Sequence, residues 1–418
     1  MYDFELVIIG GGLASARAVR SYREAGGQGR ILLLSKDSVL PYHRPPLSKR
    51  YLRGEANIQD TLVEPESFYV ESDVEVLLET AARTVVSGER AVEIENGQRH
   101  RYHKLLIASG AQPRRLDSPG AHLSGVFSLR SLSQSTIIRD AAGQAQAREA
   151  LVVGGGFIGM EVAASLRQVG LEVTLISRNN GLFHALEAPE LERDVATFFA
   201  DNDVNLLLLD EVAAFRGRSH VDSIETKAGT PLPADFVVAG IGVAPTVDFL
   251  EGSGIELDNG VVVSERFETS VPGIYAVGDV ANFYDPLFER RRRIEHWSNA
   301  NVQGAEVGRI LAGDSGGYDT VSTFFTEFFG LTLKVFGDLR EHDELIVRGS
   351  LSDRNLLGFY LQRGRMVATL VVGQDKETEA ALQRLIKDRA VIDSGLLADQ
   401  SSDIRGFSST PDPPAPRR

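Results

Sequence analysis

The sequence has no cysteine among its 418 residues. This absence excludes disulfide bonds, thiolate-ligated metals, cysteine nucleophiles and redox-active dithiols from the chain. We also predict no metal site.

Long apolar runs are missing as well. No stretch approaches the roughly 18 uninterrupted apolar residues of a membrane-spanning helix, so we predict none. The opening residues MYDFELVIIGGG carry acids ahead of the first apolar run and no basic region. That pattern is typical of a buried strand and not of a signal peptide. We therefore expect a cytoplasmic protein.

Basic residues are in the minority. The 44 Lys and Arg residues stand against 58 Asp and Glu residues, which gives a net charge of −14. This balance argues against a general nucleic-acid binder, because binding to phosphates needs a basic surface. One local exception is the run ERRRRIEHW at 289–297.

Two segments of the chain share one pattern. The first is ELVIIGGGLASARAVRSYREAG at 5–26, followed by RILLLSKD, and the second is ALVVGGGFIGMEVAASLRQVG at 150–170, followed by EVTLISRN. Each pattern is typical of a buried strand, a glycine turn, a helix that starts with small residues, and a second buried strand. The sequence therefore predicts the opening βαβ unit of a nucleotide-binding fold twice.

Both glycine turns meet the requirements of dinucleotide binding. The first glycine permits the tight turn, the second lets the backbone approach a pyrophosphate, and the third position must be small so that helix and strand pack. The helix N-terminus adds its dipole and free N–H groups. One such turn is a weak signal, because similar turns also occur for packing alone, but two in register are specific. The positions are Gly10, Gly12 and Ser15 in the first copy, and Gly154, Gly156 and Gly159 in the second.

The remaining chain adds further strands and a different module. Short strands are predicted over 72–107, and strands that end in glycine turns over 234–246 and 271–282. Alternating apolar patterns followed by a helix over 319–395 predict an α+β module. From residue 401 onward the chain is rich in Ser and Pro, and we expect a disordered tail.

Seven motifs stand in a recognisable order. They are GGGLAS at 10–15, PYHRPPLSK at 41–49, ASGAQPR at 108–114, GGGFIGMEVAA at 154–164, GIGVAPT at 240–246, YAVGDVAN at 275–282 and RRRIEHWSNANVQG at 291–304. With them the chain resembles the FAD-dependent NAD(P)H:ferredoxin reductases that serve cytochrome P450 and ring-hydroxylating dioxygenase systems. Rubredoxin reductases and apoptosis-inducing-factor-like proteins are relatives of this group. The resemblance runs from about residue 4 to about residue 395.

The resemblance implies a fold and a division into domains. The fold class is α/β, with two Rossmann-like dinucleotide-binding domains of glutathione-reductase-like architecture and a C-terminal α+β domain. We expect a discontinuous FAD-binding domain at 1–107 and 244–318, and an NAD(P)H-binding domain at 108–243. A C-terminal domain is expected at 319–398 and a tail at 399–418.

The resemblance also implies an activity. FAD takes a hydride from NADH or NADPH, and single electrons pass to a [2Fe–2S] ferredoxin that feeds a P450 or a ring-hydroxylating oxygenase. The missing cysteines separate the chain from glutathione reductase, lipoamide dehydrogenase and thioredoxin reductase, which relay electrons through a cysteine pair. The flavin must therefore pass electrons directly to the acceptor, which suits its chemistry.

The residues that match FAD contacts of the family lie in both halves of the chain. They are Gly10, Gly12, Leu13, Ala14, Ser15, Asp37, Arg44, Lys49, Ala82, Arg130, Asp279 and Trp297. Asp37 ends the second strand and is expected to hold the adenosine ribose, where the family more often has Glu. The alternative is that Asp37 only forms a turn.

Lys49 and Glu161 are the predicted catalytic pair. The family places them together near flavin N5, where the hydride arrives. A buried lysine is costly unless it is paired, and Glu161 is the natural partner. The alternative is that Glu161 only serves the helix start as a dipole partner.

The matched NAD(P)H contacts surround the second glycine turn. They are Gly154, Gly156, Phe157, Ile158, Gly159, Glu161, Ser177, Arg178 and Gly242. Ser177 stands where an NADH-selective relative has Glu. Ser177 and Arg178 can both donate hydrogen bonds to a 2′-phosphate, which favours NADPH or the use of both nucleotides. The alternative is an NADH enzyme that lacks its acid and has a solvated arginine.

The acceptor side carries two further features. Arg290, Arg291, Arg292 and Arg293 lie between two flavin motifs, and we expect them to dock an acidic ferredoxin. The alternative is that some of them pair internally with Glu289, Glu295 or the C-terminal module. In the stretch TFFTEFFG, Phe325 replaces the usual tryptophan of the family. This replacement puts the acceptor in doubt.

Two other functions therefore stay open. The first is an NAD(P)H oxidase, a quinone reductase or a monodehydroascorbate-type reductase that needs no ferredoxin. The second is a nicotinamide-sensing flavoprotein that acts as a binding switch. The sequence does not indicate an oligomeric state.

Overall fold

Residues 2–144, 146–340 and 342–408 are described by a computed structural model. The chain divides into two units. The first contains Met1–Pro45, Ala56–Gln112 and Val243–Thr320, and the second contains Pro46–Glu55, Pro113–Gly242 and Val321–Arg418. The second unit thus combines the second glycine turn with the C-terminal module. The predicted domain boundaries stay predictions.

Strands make up most of the regular structure. Those before residue 114 are β1 (Phe4–Ile9), β2 (Ile31–Leu34), β3 (Val74–Leu77), β4 (Ala82–Val86), β5 (Ala91–Ile94), β6 (Arg99–Ile107) and β7 (Ala111–Pro113). The next group is β8 (Val126–Ser128), β9 (Glu149–Val153), β10 (Glu172–Ser177), β11 (Val204–Leu208), β12 (Val212–Gly217), β13 (Val221–Thr226), β14 (Pro231–Pro233), β15 (Phe236–Ala239) and β16 (Val243–Pro245). The last group is β17 (Val261–Val263), β18 (Ile274–Ala276), β19 (Ala281–Asp285), β20 (Arg290–Arg292), β21 (Thr323–Phe328), β22 (Leu331–Gly337), β23 (Glu344–Ser350), β24 (Asn355–Gln362) and β25 (Arg365–Val372).

The α-helices stand between groups of these strands or after the last strand. The α-helices are α1 (Leu13–Glu24), α2 (Glu66–Glu71), α3 (Leu132–Ala142), α4 (Phe157–Gln168), α5 (Pro189–Asp201), α6 (Trp297–Ala312), α7 (Lys376–Lys387) and α8 (Ser394–Ala398). Short 3-10 helices cover Pro45–Ser48, Gln59–Thr61, Ser87–Glu89, His184–Leu186, Asp248–Leu250, Gly278–Val280 and Ile404–Gly406. No helix within the described residues is long and apolar enough to cross a membrane.

The first unit is built on a seven-stranded sheet. Its order is β3-β2-β1-β6-β5-β4, and β18 also pairs with β6. Strands β1 and β2 run parallel and are buried along nearly their whole length. Their continuous apolar sequences suit a parallel sheet that is covered on both faces. This is the first predicted βαβ unit.

Helices α1 and α6 pack very closely in this unit. A Cβ atom added at Gly304 would lie 2.4 Å from the carbonyl oxygen of Ala14, and one at Gly308 would lie 2.5 Å from that of Ala18. The two glycines, four residues apart on α6, therefore let the backbones approach. This packing positions the start of α1 and the turn that contains Gly278.

The second unit contains two main sheets. The parallel sheet has the order β11-β10-β9-β15-β8 and includes the second predicted βαβ unit. The C-terminal sheet is antiparallel, with the order β21-β22-β25-β24-β23. Helix α7 packs on it and is capped by Asp375, whose side chain accepts a hydrogen bond from the Thr378 N–H. The predicted α/β fold with a C-terminal α+β domain is confirmed.

The end of the chain contacts the C-terminal sheet. Ile404 is buried, and Arg348 of β23 donates hydrogen bonds to the carbonyl oxygens of Leu396 at 2.6 Å and Ser402 at 3.1 Å. These residues include the start of the segment predicted to be a disordered tail. Residues 409–418 of that segment lie outside the described residues.

Candidate active site

The first glycine turn connects β1 to α1 and leaves room for a ligand. Gly10 has a φ of +118°, and an added Cβ would lie 2.2 Å from the carbonyl oxygen of Ala108. Around Gly12, which precedes α1, a Cβ would meet nothing within 4 Å. Ser15 is fully buried, and its hydroxyl donates a hydrogen bond to the Gly10 carbonyl. Serine at the third position therefore fits the turn and also ties it to the helix.

The N-terminus of α1 is not capped by a side chain. Its first residues, Leu13 and Ala14, are buried, so their side chains support the core while the N–H groups of this first turn remain available. Such a helix start attracts a diphosphate.

The predicted adenosine contacts Asp37 and Ala82 and the predicted flavin contact Arg44 all lie in the first unit. Asp37 follows β2, is half-buried, and accepts a hydrogen bond of 2.8 Å from the hydroxyl of Tyr42. The guanidinium of Arg44 lies 5.5 Å from the ring centre of Tyr42. Ala82 begins β4 and pairs with Ile94. The roles of Asp37, Arg44 and Ala82 stay predictions.

The flavin motifs near residue 280 form a buried polar region of the first unit. Asp279 lies in the short helix Gly278–Val280 and is 8% exposed. Trp297 begins α6, and its Nε1 donates a hydrogen bond of 3.0 Å to Nδ1 of His43. Burial lowers the pKa of His43, which keeps the ring neutral and able to accept this bond.

His296, directly before Trp297, is also held neutral. Burial is the largest cause, and with the nearby charge of Arg292 it lowers the pKa of His296 to about 4, although Asp279 acts in the opposite direction. His296 therefore adds no positive charge to this region at neutral pH.

The second glycine turn repeats the geometry of the first. Gly154 has a φ of +111°, and an added Cβ would lie 2.5 Å from the carbonyl oxygen of Gly240. A Cβ at Gly159 would lie 1.9 Å from the Gly154 carbonyl, and Gly156 faces open space. These positions confirm the steric reason for small residues in the motif.

The neighbouring predicted contacts surround this turn. The Phe157 ring packs edge-on against Phe324, with 5.2 Å between ring centres, and Ile158 is half-buried. Gly242 has a φ of +93°, and its carbonyl accepts a hydrogen bond of 2.9 Å from the Arg114 N–H. Their contacts to NAD(P)H stay predictions.

Ser177 and Arg178 differ in what they present to solvent. Ser177 ends β10 and is 3% exposed, and its hydroxyl accepts a hydrogen bond of 3.3 Å from the Asn179 N–H. A Cβ at Gly155 would lie 2.8 Å from this hydroxyl, so Ser177 faces the glycine turn. Arg178 is exposed. Arg178 is therefore the better placed of the two to meet a 2′-phosphate.

Lys49 and Glu161 form a buried ion pair in the second unit. The distance from Lys49 Nζ to Glu161 Oε1 is 2.7 Å, and the two side chains are 9% and 4% exposed. The pairing predicted from the sequence is thus present. Because Glu161 pairs with Lys49, its role is not limited to the dipole of α4. The catalytic role of the pair stays a prediction.

Two hydroxyl groups that the sequence did not indicate complete the environment of Glu161. Ser48 donates a hydrogen bond of 2.5 Å to Oε2, and Thr326 of β21 donates one of 2.8 Å to Oε1. Ser48 adjoins Lys49 in the chain, which is a signal, but Thr326 lies 165 residues from Glu161. Nothing in the local sequence points from one to the other.

Serines also fix the backbone that carries Lys49. Ser165 donates to the Ser48 carbonyl, and Ser135 of α3 donates to the Leu47 carbonyl, each at 2.6 Å. Ser165 lies four residues after Glu161, on the same face of α4. One helix face thus holds both the side chain of Glu161 and the backbone next to Lys49.

The arginine run is largely engaged within the first unit. Arg292 pairs with Asp285 at 2.7 Å, with both side chains buried. Arg293 pairs with Glu295 at 2.5 Å and donates to the Asp279 carbonyl at 3.0 Å. The predicted internal pairing is therefore present between Arg293 and Glu295, whereas Asp285, the partner of Arg292, was not among the predicted partners.

The other two arginines belong to β20. Arg290 is half-buried, whereas Arg291 is exposed and donates hydrogen bonds to the carbonyl oxygens of Val263 at 2.8 Å and Asn282 at 3.1 Å. These bonds satisfy the backbone and leave the charge of Arg291 at the surface. Docking of a partner on the run stays a prediction, with Arg291 as its most exposed member.

Two further predicted positions lie in the second unit. The Arg130 N–H donates a hydrogen bond of 2.8 Å to Gln134 just before α3, and the FAD contact of Arg130 stays a prediction. Phe325 is opposite Lys334 in the C-terminal sheet. Because neighbouring residues of a strand alternate, Phe325 lies on the face opposite to that of Thr326.

Two protein families match this sequence. The pyridine nucleotide-disulphide oxidoreductase family matches residues 4–304, and the reductase C-terminal family matches residues 323–408. The chain belongs to the pyridine nucleotide-disulphide oxidoreductase family. Because it has no cysteine, it lacks the disulfide for which the family is named.

Relatives of known type confirm the resemblance to ferredoxin reductases. The chain is 32% identical to the putidaredoxin reductase CamA of Pseudomonas putida over 407 residues, 96% of each protein. It is 30% identical to the ferredoxin–NAD(+) reductase subunit of the benzene 1,2-dioxygenase system of Pseudomonas putida over 401 residues, again 96% of each. Its fold resembles that in the crystal structure of a covalent putidaredoxin reductase–putidaredoxin complex, with a TM-score of 0.92, 30% identity, and coverage of 97% of this chain and 98% of that chain.

The family uses FAD and NAD(P)H, and the residues present fit both. In the first turn, a Cβ at Gly10 is sterically impossible and one at Gly12 would occupy the space of a ligand. The same turn leads into a helix start without a side-chain cap, and the carboxylate of Asp37 is nearby. The second turn repeats the steric pattern, with Arg178 exposed after β10. FAD, when bound, supplies a centre that accepts a hydride and releases electrons singly.

The buried ion pair makes a thermodynamic prediction. Lys49→Met should lower the free energy of unfolding by about 3–5 kcal/mol, because it leaves the Glu161 charge buried without its cation. Lys49→Met combined with Glu161→Gln should recover most of that loss. Urea unfolding of the three proteins measures both effects.

The exposed pair Arg216–Glu225, with side chains 58% and 45% exposed, provides the control. Arg216→Met should change the free energy of unfolding by no more than about 1 kcal/mol. Equal effects of Lys49→Met and Arg216→Met would contradict the importance assigned to burial.

His296 makes a prediction about pH. Its folded pKa of about 4 lies below the ordinary value of 6.5, so the unfolded chain binds the proton more tightly. The contribution of neutral His296 to the free energy of unfolding is therefore fully present above pH 6.5 and is lost as the pH falls toward 4. Between pH 7 and pH 5 this one group should remove roughly 2 kcal/mol from the free energy of unfolding. His296→Gln should show a correspondingly smaller loss, and equal pH dependence in both proteins would refute the assignment.

Proposed function

We propose that this chain is an FAD-dependent NAD(P)H:ferredoxin reductase. It takes a hydride from NAD(P)H onto FAD and passes single electrons to a [2Fe–2S] ferredoxin that feeds a cytochrome P450 or a ring-hydroxylating oxygenase. The observation that carries the proposal is the buried Lys49–Glu161 pair beside a dinucleotide-type glycine turn, in a chain without a dithiol. A cytoplasmic location is part of the same proposal.

The residues of the chain supply position and charge in this reaction. Hydride transfer needs close, oriented partners more than it needs acid–base groups. The glycine turn at 154–159 allows close approach of the nucleotide, and the Lys49 ammonium supplies a fixed positive charge. Without a cysteine pair there is no intermediate carrier within the chain, so electrons leave for the ferredoxin directly.

The relatives support a ferredoxin as the acceptor. Over 97% of its length, this chain resembles a protein in the crystal structure of a covalent putidaredoxin reductase–putidaredoxin complex. Another relative is named as the reductase of a benzene dioxygenase system. We infer the same class of acceptor for this chain, namely a small [2Fe–2S] protein.

Cytochrome c reduction tests this function. The FAD-loaded protein with NADH or NADPH should reduce cytochrome c slowly alone and much faster when a [2Fe–2S] ferredoxin is added. An equal rate with and without a ferredoxin, together with rapid reduction of oxygen or a quinone, would support an oxidase or a quinone reductase instead. Slow turnover with every acceptor would support a binding switch.

The choice of nucleotide makes a separate prediction. We propose that Arg178 favours NADPH, because its exposed guanidinium can form charge-assisted bonds to a 2′-phosphate. Arg178→Ala should weaken NADPH binding by about tenfold and leave NADH binding nearly unchanged, by the loss of one such bond. Anaerobic stopped-flow reduction of FAD at varied nucleotide concentrations measures both constants. The matched control is Arg216→Ala, at another exposed arginine of the same unit, which should change neither.

A further inference from the structure

Glu161 accepts hydrogen bonds from three side chains that belong to two segments of the second unit. Lys49 and Thr326 both reach Oε1, at 2.7 Å and 2.8 Å, and Ser48 reaches Oε2 at 2.5 Å. Ser48 ends the short helix Pro45–Ser48 and Lys49 follows it, whereas Thr326 comes from β21 of the C-terminal sheet. Both carboxylate oxygens are thus held from separate directions.

Burial makes these bonds decisive for the position of the carboxylate. Glu161 is 3% exposed, Ser48 is 2% exposed and Thr326 is fully buried. Little solvent reaches the carboxylate to replace a lost donor. The two hydroxyls therefore fix the rotation of the carboxylate about its last bond, since moving either oxygen breaks a bond to a charged acceptor.

The position of the ammonium follows from that of the carboxylate. Lys49 has a long flexible side chain, and its ammonium pairs with Oε1 of Glu161, the oxygen that Thr326 also holds. Its backbone is already fixed by the Ser165 bond to the Ser48 carbonyl. The position of Oε1 therefore contributes to where the ammonium lies.

We propose that Thr326 and Ser48 are positioning residues for the Lys49–Glu161 pair, and that through Thr326 the C-terminal sheet determines the rate of hydride transfer. This inference rests on the proposed function, in which the pair lies where the hydride is transferred. It gives the C-terminal module a part in the reaction with NAD(P)H, separate from any part in meeting the acceptor.

Two substitutions at Thr326 separate positioning from packing. Thr326→Val keeps the shape of the side chain and removes the hydroxyl, whereas Thr326→Ser keeps the hydroxyl and removes a methyl group. Thr369 of β25 is the matched control, because it is also fully buried in the C-terminal sheet and its hydroxyl has no hydrogen-bond partner among the described residues.

The limiting rate of anaerobic FAD reduction by NADPH is the readout, with FAD content and melting temperature recorded for each variant. Thr326→Val should slow reduction by about tenfold, since a small displacement of a positioned group has a large effect on rate. Thr326→Ser should restore most of the rate even though its lost methyl lowers the melting temperature. Thr369→Val should reduce FAD at the rate of the unaltered protein.

Other outcomes decide against the inference. If Thr326→Val is as fast as the unaltered protein, or if Thr326→Ser is as slow as Thr326→Val, Thr326 is only a packing residue. If Thr326→Val does not fold, Ser48→Ala decides in its place: slowed reduction supports the inference and an unchanged rate overturns it. If NADH and NADPH both fail to reduce FAD in the unaltered protein, the proposed function itself fails, which is a different result from an insensitive Thr326.

Discussion

The second unit depends on one electrostatic constraint, the burial of a lysine beside a glutamate. Two charges removed from water cost several kcal/mol each, and their attraction repays this only with good geometry and further hydrogen bonds. Here Lys49 lies 2.7 Å from Glu161, and the hydroxyls of the adjacent Ser48 and of Thr326 in β21 bind the carboxylate. A pair that is this costly to assemble, beside a nucleotide-type turn, points to a use beyond stability.

The surrounding structure follows from holding that pair. Helix α4 starts at a glycine turn, and Glu161 and Ser165 share one of its faces. The C-terminal sheet supplies Thr326 to the same carboxylate. In the first unit, burial lowers the pKa of His296 and keeps this side chain neutral near Asp279. The first unit also contains a buried ion pair, Arg292–Asp285, so both units hold a paired cation.

Much of this could be predicted from the sequence, because glycine turns, buried strands and the RPPLSK motif are local patterns. The pairing of Lys49 with Glu161 was implied by the resemblance to ferredoxin reductases, and the cost of a lone buried charge supports it. Contacts between distant segments could not be predicted in this way. Thr326 reaches Glu161 only because an antiparallel strand of a separate module packs on α4. Similarly, a run of four arginines looks like exposed basic surface, but β19 lies beside it and brings Asp285 to Arg292.

The most direct test of the account uses Lys49→Met combined with Glu161→Gln, which removes both charges together. Because neither charge is left alone, the protein should fold and retain FAD. Its limiting rate of anaerobic FAD reduction by NADPH then reports only on the contribution of the pair to hydride transfer. We predict a rate at least about tenfold below that of the unaltered protein, since the fixed positive charge is gone. A rate equal to that of the unaltered protein would contradict the account and reduce the pair to a structural feature of the second unit.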